Sequence, residues 1–155
     1  MFGNNKEIVK FVNKWVVDSK KDPEIEQKIV SLEKTYGVTF PSKYISLLKE
    51  ANPIYCPDLL DYISDNDMGI YDVQDFIDPS KIREETDEYI NGGMLNGYIG
   101  FALDCMGNMF CFKYDELKEK EEAKIYIFDH DFCEINEVAD SFSKWIKKFN
   151  SIKKK

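Results

Sequence analysis

The chain has 155 residues, a formal net charge of −8, 43% apolar residues and 14% aromatic residues. That length suits one domain with a single buried core, and that composition excludes wholesale disorder. Its longest apolar runs fall far short of the ~20 residues a membrane span needs, and Met1–Glu7 lacks the basic-then-apolar order of a signal peptide, so the expectation is cytoplasmic residence without membrane contact.

Residues 6–18 place Ile8, Phe11, Val12, Trp15 and Val16 on one stripe at helical spacing. Asp22-Pro23-Glu24 is a start signal, with a capping aspartate, proline at the first helical position and an acid in the first turn. Ile25, Ile29, Leu32 and Tyr36 continue that second helix, and Gly37 ends it. Pro41 biases Phe40 toward extended backbone, so Val38-Thr39-Phe40 links to a third helix from about Ser42 to Ala51. Asn52-Pro53 stops that helix. Residues 53–69 read mainly as loop, with a short strand around Gly69–Val73 and a single turn over Gln74–Ile77. Residues 80–90 read as helix, broken by Asn91-Gly92-Gly93.

The period then changes from helix to strand. Tyr98–Asp104 and Asn108–Tyr114 read as a hairpin with a tight turn at Met106-Gly107 or Gly107-Asn108. Both strands are apolar at nearly every position, which predicts a central hairpin covered on both faces. A charged loop, Asp115–Ala123, leads to a strand at Lys124–Phe128 and a short extended piece near Phe132–Ile135. The last helix spans about Glu137–Asn150 and buries Val138, Phe142, Trp145, Ile146 and Phe149, with a frayed basic tail after it. The order of elements predicts an α+β fold: N-terminal helices, a central mostly antiparallel sheet with helices packed on one side, and a closing C-terminal helix.

The charge is uneven. Residues 58–140 hold 22 acids against 6 bases, a net of −16, while the remainder holds 7 acids against 15 bases, a net of +8. Such a middle segment repels a phosphate backbone, so direct nucleic-acid binding is not expected, and it suits a basic protein partner. The candidate contact residues are Asp58, Asp61, Asp65, Asp67, Asp72, Asp75, Asp78, Glu84, Glu85, Asp87 and Glu88. Solvated acidic loops are the competing reading of the same residues.

Catalytic and ligand motifs are sparse. His130, the single histidine, lies in Asp129-His130-Asp131 just past a strand. It reads as a strand-end histidine bonded to backbone; a general base held by a carboxylate is the alternative. Cys56, Cys105, Cys111 and Cys133 form no C-x-x-C pair and read as small hydrophobes rather than disulfide or zinc ligands. The acids lack EF-hand spacing, and no phosphate-binding glycine loop occurs. No metal, cofactor or enzymatic activity is expected.

Four motifs in order carry a resemblance. Gly37-Val38-Thr39-Phe40-Pro41-Ser42-Lys43-Tyr44 resembles the G-v-x-[LF]-P-x-x-Y junction of the SUKH superfamily, which contains the yeast cell-wall glucan-synthesis regulator and many bacterial immunity proteins. Phe101–Phe112 is similar to its central hairpin, Ile125–Asp131 to its strand end before a histidine, and Ala139–Ile146 to its closing helix. The likeness covers about residues 25–149, leaving 1–23 as an added helix and 151–155 as a basic tail within a single domain over 1–155. One departure is Pro53, where the family often has glycine after Asn52. The resemblance implies an α+β fold without an established catalytic centre. It implies, for bacterial members, neutralisation of a toxin by tight binding; many such toxins act on nucleic acid and are basic. The alternative it carries is a regulatory or scaffold interaction module. Either role places partner choice in the divergent segments 53–69, 72–90 and 115–123.

Overall fold

The computed structural model describes residues 5–119 and 122–154. The readings of the first four residues, of the charged loop at 120–121 and of Lys155 lie outside the described residues. The N-terminal helices are α1 (Lys6–Trp15), α2 (Ile25–Tyr36), α3 (Ser42–Glu50) and α4 (Leu59–Asp65). A short strand β1 (Asp75–Phe76), a 3-10 turn at Pro79–Lys81 and α5 (Ile82–Asn91) lead into β2 (Tyr98–Leu103) and β3 (Met109–Lys113). Helix α6 (Tyr114–Glu119) connects to β4 (Ile125–Asp129) and β5 (Glu134–Ala139), and α7 (Phe142–Asn150) closes the fold. The strands form one antiparallel sheet in the order β1-β2-β3-β4-β5, so the architecture is α+β as the sequence predicts.

The α2–α3 junction behaves as its residues dictate. Gly37 takes the left-handed conformation (φ +66°) and its N–H closes α2 on Glu33 O at 2.8 Å. The Glu33 carboxylate then accepts the Phe40 N–H at 2.9 Å, and Pro41 caps α3. Helix α2 itself begins at Ile25, two residues later than proline-first logic predicts. Asp22 makes a turn instead: its carboxylate accepts the Glu24 N–H at 2.9 Å.

Strand alternation gives the sheet two apolar faces. On one, Phe101 stacks on Phe112 at 4.3 Å, and Tyr44 of α3 and Phe142 and Trp145 of α7 pack edge-on or tilted against them. On the other, which also carries Met109, Cys111 meets Met94 of the segment after α5 and Phe128 meets Tyr89 of α5. The covering helices therefore lie on both faces, not one. Gly100 of β2 leaves room for the Met109 side chain of β3: a Cβ there would meet Met109 Sδ at 2.1 Å. The register shift beside Gly100 leaves its N–H to the buried Thr86 of α5, which accepts it at 3.0 Å.

Several boundaries differ from expectation for physical reasons. Segment 59–65 is helical, because Leu59 and Ile63, one turn apart, both reach the core. The first strand falls at Asp75–Phe76 rather than around Gly69–Val73, pairing with Ala102 and Leu103. The β2–β3 connection is a five-residue loop, 104–108, instead of a two-residue turn: the buried Asp104 carboxylate accepts the Met106 N–H, the Asn108 N–H and the Asn108 side-chain amide at 2.8–3.0 Å. Residues 114–119 form α6 where a loop was predicted. Glu137, Val138 and Ala139 belong to β5, and Ser141 caps α7 by accepting the Lys144 N–H at 3.2 Å.

Helix α1 packs on α7 and shares its core. Trp15 Nε1 donates to Phe149 O at 3.2 Å, and Asn150 donates to Glu7 O at 2.8 Å. Lys14 caps the α7 terminus through Asn150 O at 3.0 Å and Ile152 O. The tail is anchored as far as the description extends: Ile152 is buried, and Lys154 donates to Lys14 O at 2.7 Å.

Candidate partner-binding surface

The eleven candidate acids do not form one surface. Asp78 is structural: its carboxylate accepts the Ser80 N–H at 3.0 Å, the Ser80 hydroxyl, Asn52 Nδ2 at 2.8 Å and Lys28 Nζ at 3.0 Å. Desolvation pushes that carboxyl up, but the hydrogen bonds from Ser80, Asn52 and Lys28 outweigh it and hold the pKa at about 2. Asn52 and Lys28 also bind Asp22, at 2.7 Å each, so the residue before Pro53 ties the entry of α2 to the 3-10 turn. Asp72 is buried, and burial, with Asp104 nearby, raises its carboxyl above the usual range. Neither Asp72 nor Asp78 is the exposed loop acid that the sequence suggests.

The remaining nine divide. Asp58, Asp61, Asp65 and Asp67 are exposed on and around α4, whose inner side touches Trp15 through Tyr62. The tail lies against this helix: Lys154 Nζ lies 5.7 Å from the Tyr62 ring, and Asn66 donates to Lys153 O at 3.3 Å, while among the described residues no ion pair within 4 Å engages these four acids. Glu84, Glu85, Asp87 and Glu88 lie on α5. Asp87 pairs with Arg83 one turn away at 3.2 Å; among the described residues no ion pair within 4 Å engages Glu84, Glu85 or Glu88. Partial burial raises the Glu85 carboxyl, and Glu88, Glu84 and Asp75 of β1 add to that against Lys81. The structure therefore brings Asp75, Glu84, Glu85 and Glu88 into one field and leaves the α4 acids in another.

That field extends toward one end of the sheet. Tyr89 of α5 donates its hydroxyl to Gly107 O at 2.7 Å, so the 104–108 loop sits against α5. Gly107 turns there at φ +84°, where a side chain would be strained. The loop 129–133 lies alongside: His130 Nε2–H donates to Met106 O at 2.7 Å. The segment 115–119 lies elsewhere, at the β3–β4 connection, where Glu116 is occupied by the Lys124 N–H and the Tyr126 hydroxyl.

A family model described as SMI1 / KNR4 family (SUKH-1) matches residues 25–148. The chain belongs to that family. No curated protein matches it. SUKH-1 membership is consistent with an immunity or regulator-like role, and the family is generally non-catalytic. The matched span starts at α2, so α1 is outside it while sharing its core.

Within this SUKH-1 fold the motif residues are scaffold. Tyr44, Phe101, Phe112 and Phe142 are fully buried, and His130 ties two loops through backbone, the plainer of its two readings. Among the described residues, five clefts of about 230 to 490 Å³ are lined by neither His130 nor a cysteine. Burial raises the Cys56 and Cys111 thiols, and burial with Asp72 alongside pushes Cys105 up to about 11, so these stay protonated near neutrality and are poor nucleophiles. Among the described residues no group of three or more His, Cys, Asp or Glu is placed to hold a metal, and no helix is long and apolar enough to cross a membrane. Sequence reasoning passed over Met106 and Phe132, exposed beside His130. The available signal was an aromatic inside a turn where polar residues are the rule.

Proposed function

We propose that this chain is an immunity protein that binds and neutralises a cognate bacterial toxin, one acting on nucleic acid, through the acidic face of α5 and β1. The observation that carries this reading is the gathering of Asp75, Glu84, Glu88 and the half-buried Glu85 in one field, with no ion pair to them within 4 Å among the described residues. A protein that cleaves or modifies nucleic acid must hold phosphates, so its working surface is basic. Carboxylates fixed on a folded face compete for that surface, steer the encounter and suppress wrong partners. SUKH-1 membership supports a binding role of this kind.

The test uses the product of the neighbouring open reading frame, inactivated at its catalytic residue for purification. Co-expression of this chain with the active form restores growth, and calorimetry gives a one-to-one complex with a nanomolar Kd. Micromolar binding to several unrelated proteins, without growth rescue, supports instead a regulatory module of the cell-wall-regulator type and contradicts the immunity reading.

A further inference from the structure

The two most exposed large apolar side chains among the described residues are Phe132, at 74%, and Met106, at 67%. Both occupy hairpin tips at the same end of the sheet, Met106 between β2 and β3 and Phe132 between β4 and β5. The tips are tied: besides the ring bond to Met106 O, the His130 N–H donates to Asn108 Oδ1 at 3.2 Å. Each tip is also fixed internally. Asp104 holds the first loop, and in the second Asp129 Oδ1 accepts the Asp131 N–H at 2.9 Å and the Phe132 N–H at 3.3 Å. Cys133 completes that turn in the left-handed region at φ +52°.

Exposed apolar side chains are ordinary by themselves: Leu95 is 64% exposed, Val30 52%, and Val9, Tyr55 and Leu60 39–40%. An aromatic and a methionine held out on two tied, rigid loops differ. The backbone that carries them is already ordered by the fold, which lowers the cost of using them as interface anchors. Their surroundings are acidic. Tyr89, flanked on α5 by Glu85 and Glu88, grips the first tip, and Asp131 Oδ1 lies 3.6 Å from His130 Nδ1 in the second. A second copy of this chain would bring like charges together, and an anionic lipid surface would be repelled; a basic protein surface is complementary.

We propose that Met106 and Phe132 are the apolar anchors of the partner interface, seated in a pocket on a basic protein while Glu85, Glu88 and Asp131 pair with the cations around it. This rests on the reading above that the partner is a basic toxin. Anchors and rim divide the kinetics: buried apolar anchors set dissociation, and rim charges set association and its salt dependence.

The experiment measures association and dissociation rates by surface plasmon resonance against the inactivated neighbouring gene product. Met106→Ala and Phe132→Ala each raise Kd about tenfold or more through faster dissociation, with thermal midpoints unchanged because both side chains are exposed. A Glu85→Lys, Glu88→Lys double variant slows association and flattens its salt dependence. If both alanine variants dissociate at the parent rate while charge reversal still slows association, the anchor assignment is overturned and the basic-partner reading stands. If neither set of variants changes either rate, or the product does not bind, both are overturned. Concentration-dependent dimerisation lost on Phe132→Ala, seen by analytical ultracentrifugation, assigns the tips to a second copy and also overturns the proposal.

Discussion

Helices α4 and α5 carry similar acidic sequence and have different neighbours. On α4, Asp58, Asp61 and Asp65 face solvent near the lysines that follow α7, with Lys154 placed over Tyr62 and Trp15. On α5, burial raises the Glu85 carboxyl, and the nearby Glu88, Glu84 and Asp75 of β1 add to that. A run of acids in a chain is a property of the sequence, whereas a field is a property of what the fold places next to it. Here the fold brings Lys154 from the far end of the chain over Tyr62 of α4, while the cations beside the α5 acids, Lys81 and Arg83, belong to their own stretch of chain.

Acids that belong to neither patch sharpen the contrast. Asp78→Ala removes the acceptor shared by Ser80, Asn52 and Lys28 and is expected to cost roughly 1.5–3 kcal/mol, read by urea denaturation, with the association rate unchanged. A loss of binding without a loss of stability would move Asp78 into the interface. The pH dependence follows from the same network. Asp78, held at about 2, contributes stability that is present above the ordinary carboxylate range and is lost as pH falls toward 2. Asp22, lowered mainly by its hydrogen bond from Lys28, acts in the same direction.

Asp72 works the other way. Burial raises its carboxyl, so its ionised form is penalised near neutrality and the penalty fades as pH falls through the raised pKa. Asp72→Asn is therefore expected to raise the thermal midpoint at pH 7 and to lose that advantage in acid, as calorimetric scans across pH would record. An advantage that persisted unchanged at low pH would assign it to packing. Smallest of all are the exposed positions: Asp61→Ala and Glu84→Ala each change stability by no more than about 0.5 kcal/mol, by chemical denaturation. A larger loss at either position would mark that acid as structural and remove it from the comparison.

Much of the scaffold was legible because its residues act locally. Gly37 and Pro41 punctuate two helices by backbone geometry alone, and the apolar runs of β2 and β3 could only be central strands. Misplaced elements are those decided by distant partners. α4 is short and aspartate-rich, and its helix depends on Leu59 and Ile63 finding the core. Residues 134–139 pair with β4 although their polar side chains alternate only weakly, so the segment read partly as the start of α7. The site was legible only as composition. Asp72 and Asp78 look like their neighbours in sequence and differ through Cys105, Asn52 and Lys28, which the chain brings in from elsewhere. The link between Met106 and His130 crosses two hairpins, and no local pattern announces it.

The most direct test sets the two helices against each other. Triple variants Glu84→Lys, Glu85→Lys, Glu88→Lys on α5 and Asp58→Lys, Asp61→Lys, Asp65→Lys on α4 change net charge equally, so only position distinguishes them. Their association rates with the inactivated neighbouring gene product are measured at low and physiological salt. The α5 variant is expected to associate at least about tenfold more slowly at low salt, with the α4 variant close to the parent. Equal slowing by both, or a larger effect from α4, would contradict the assignment of the binding field to α5.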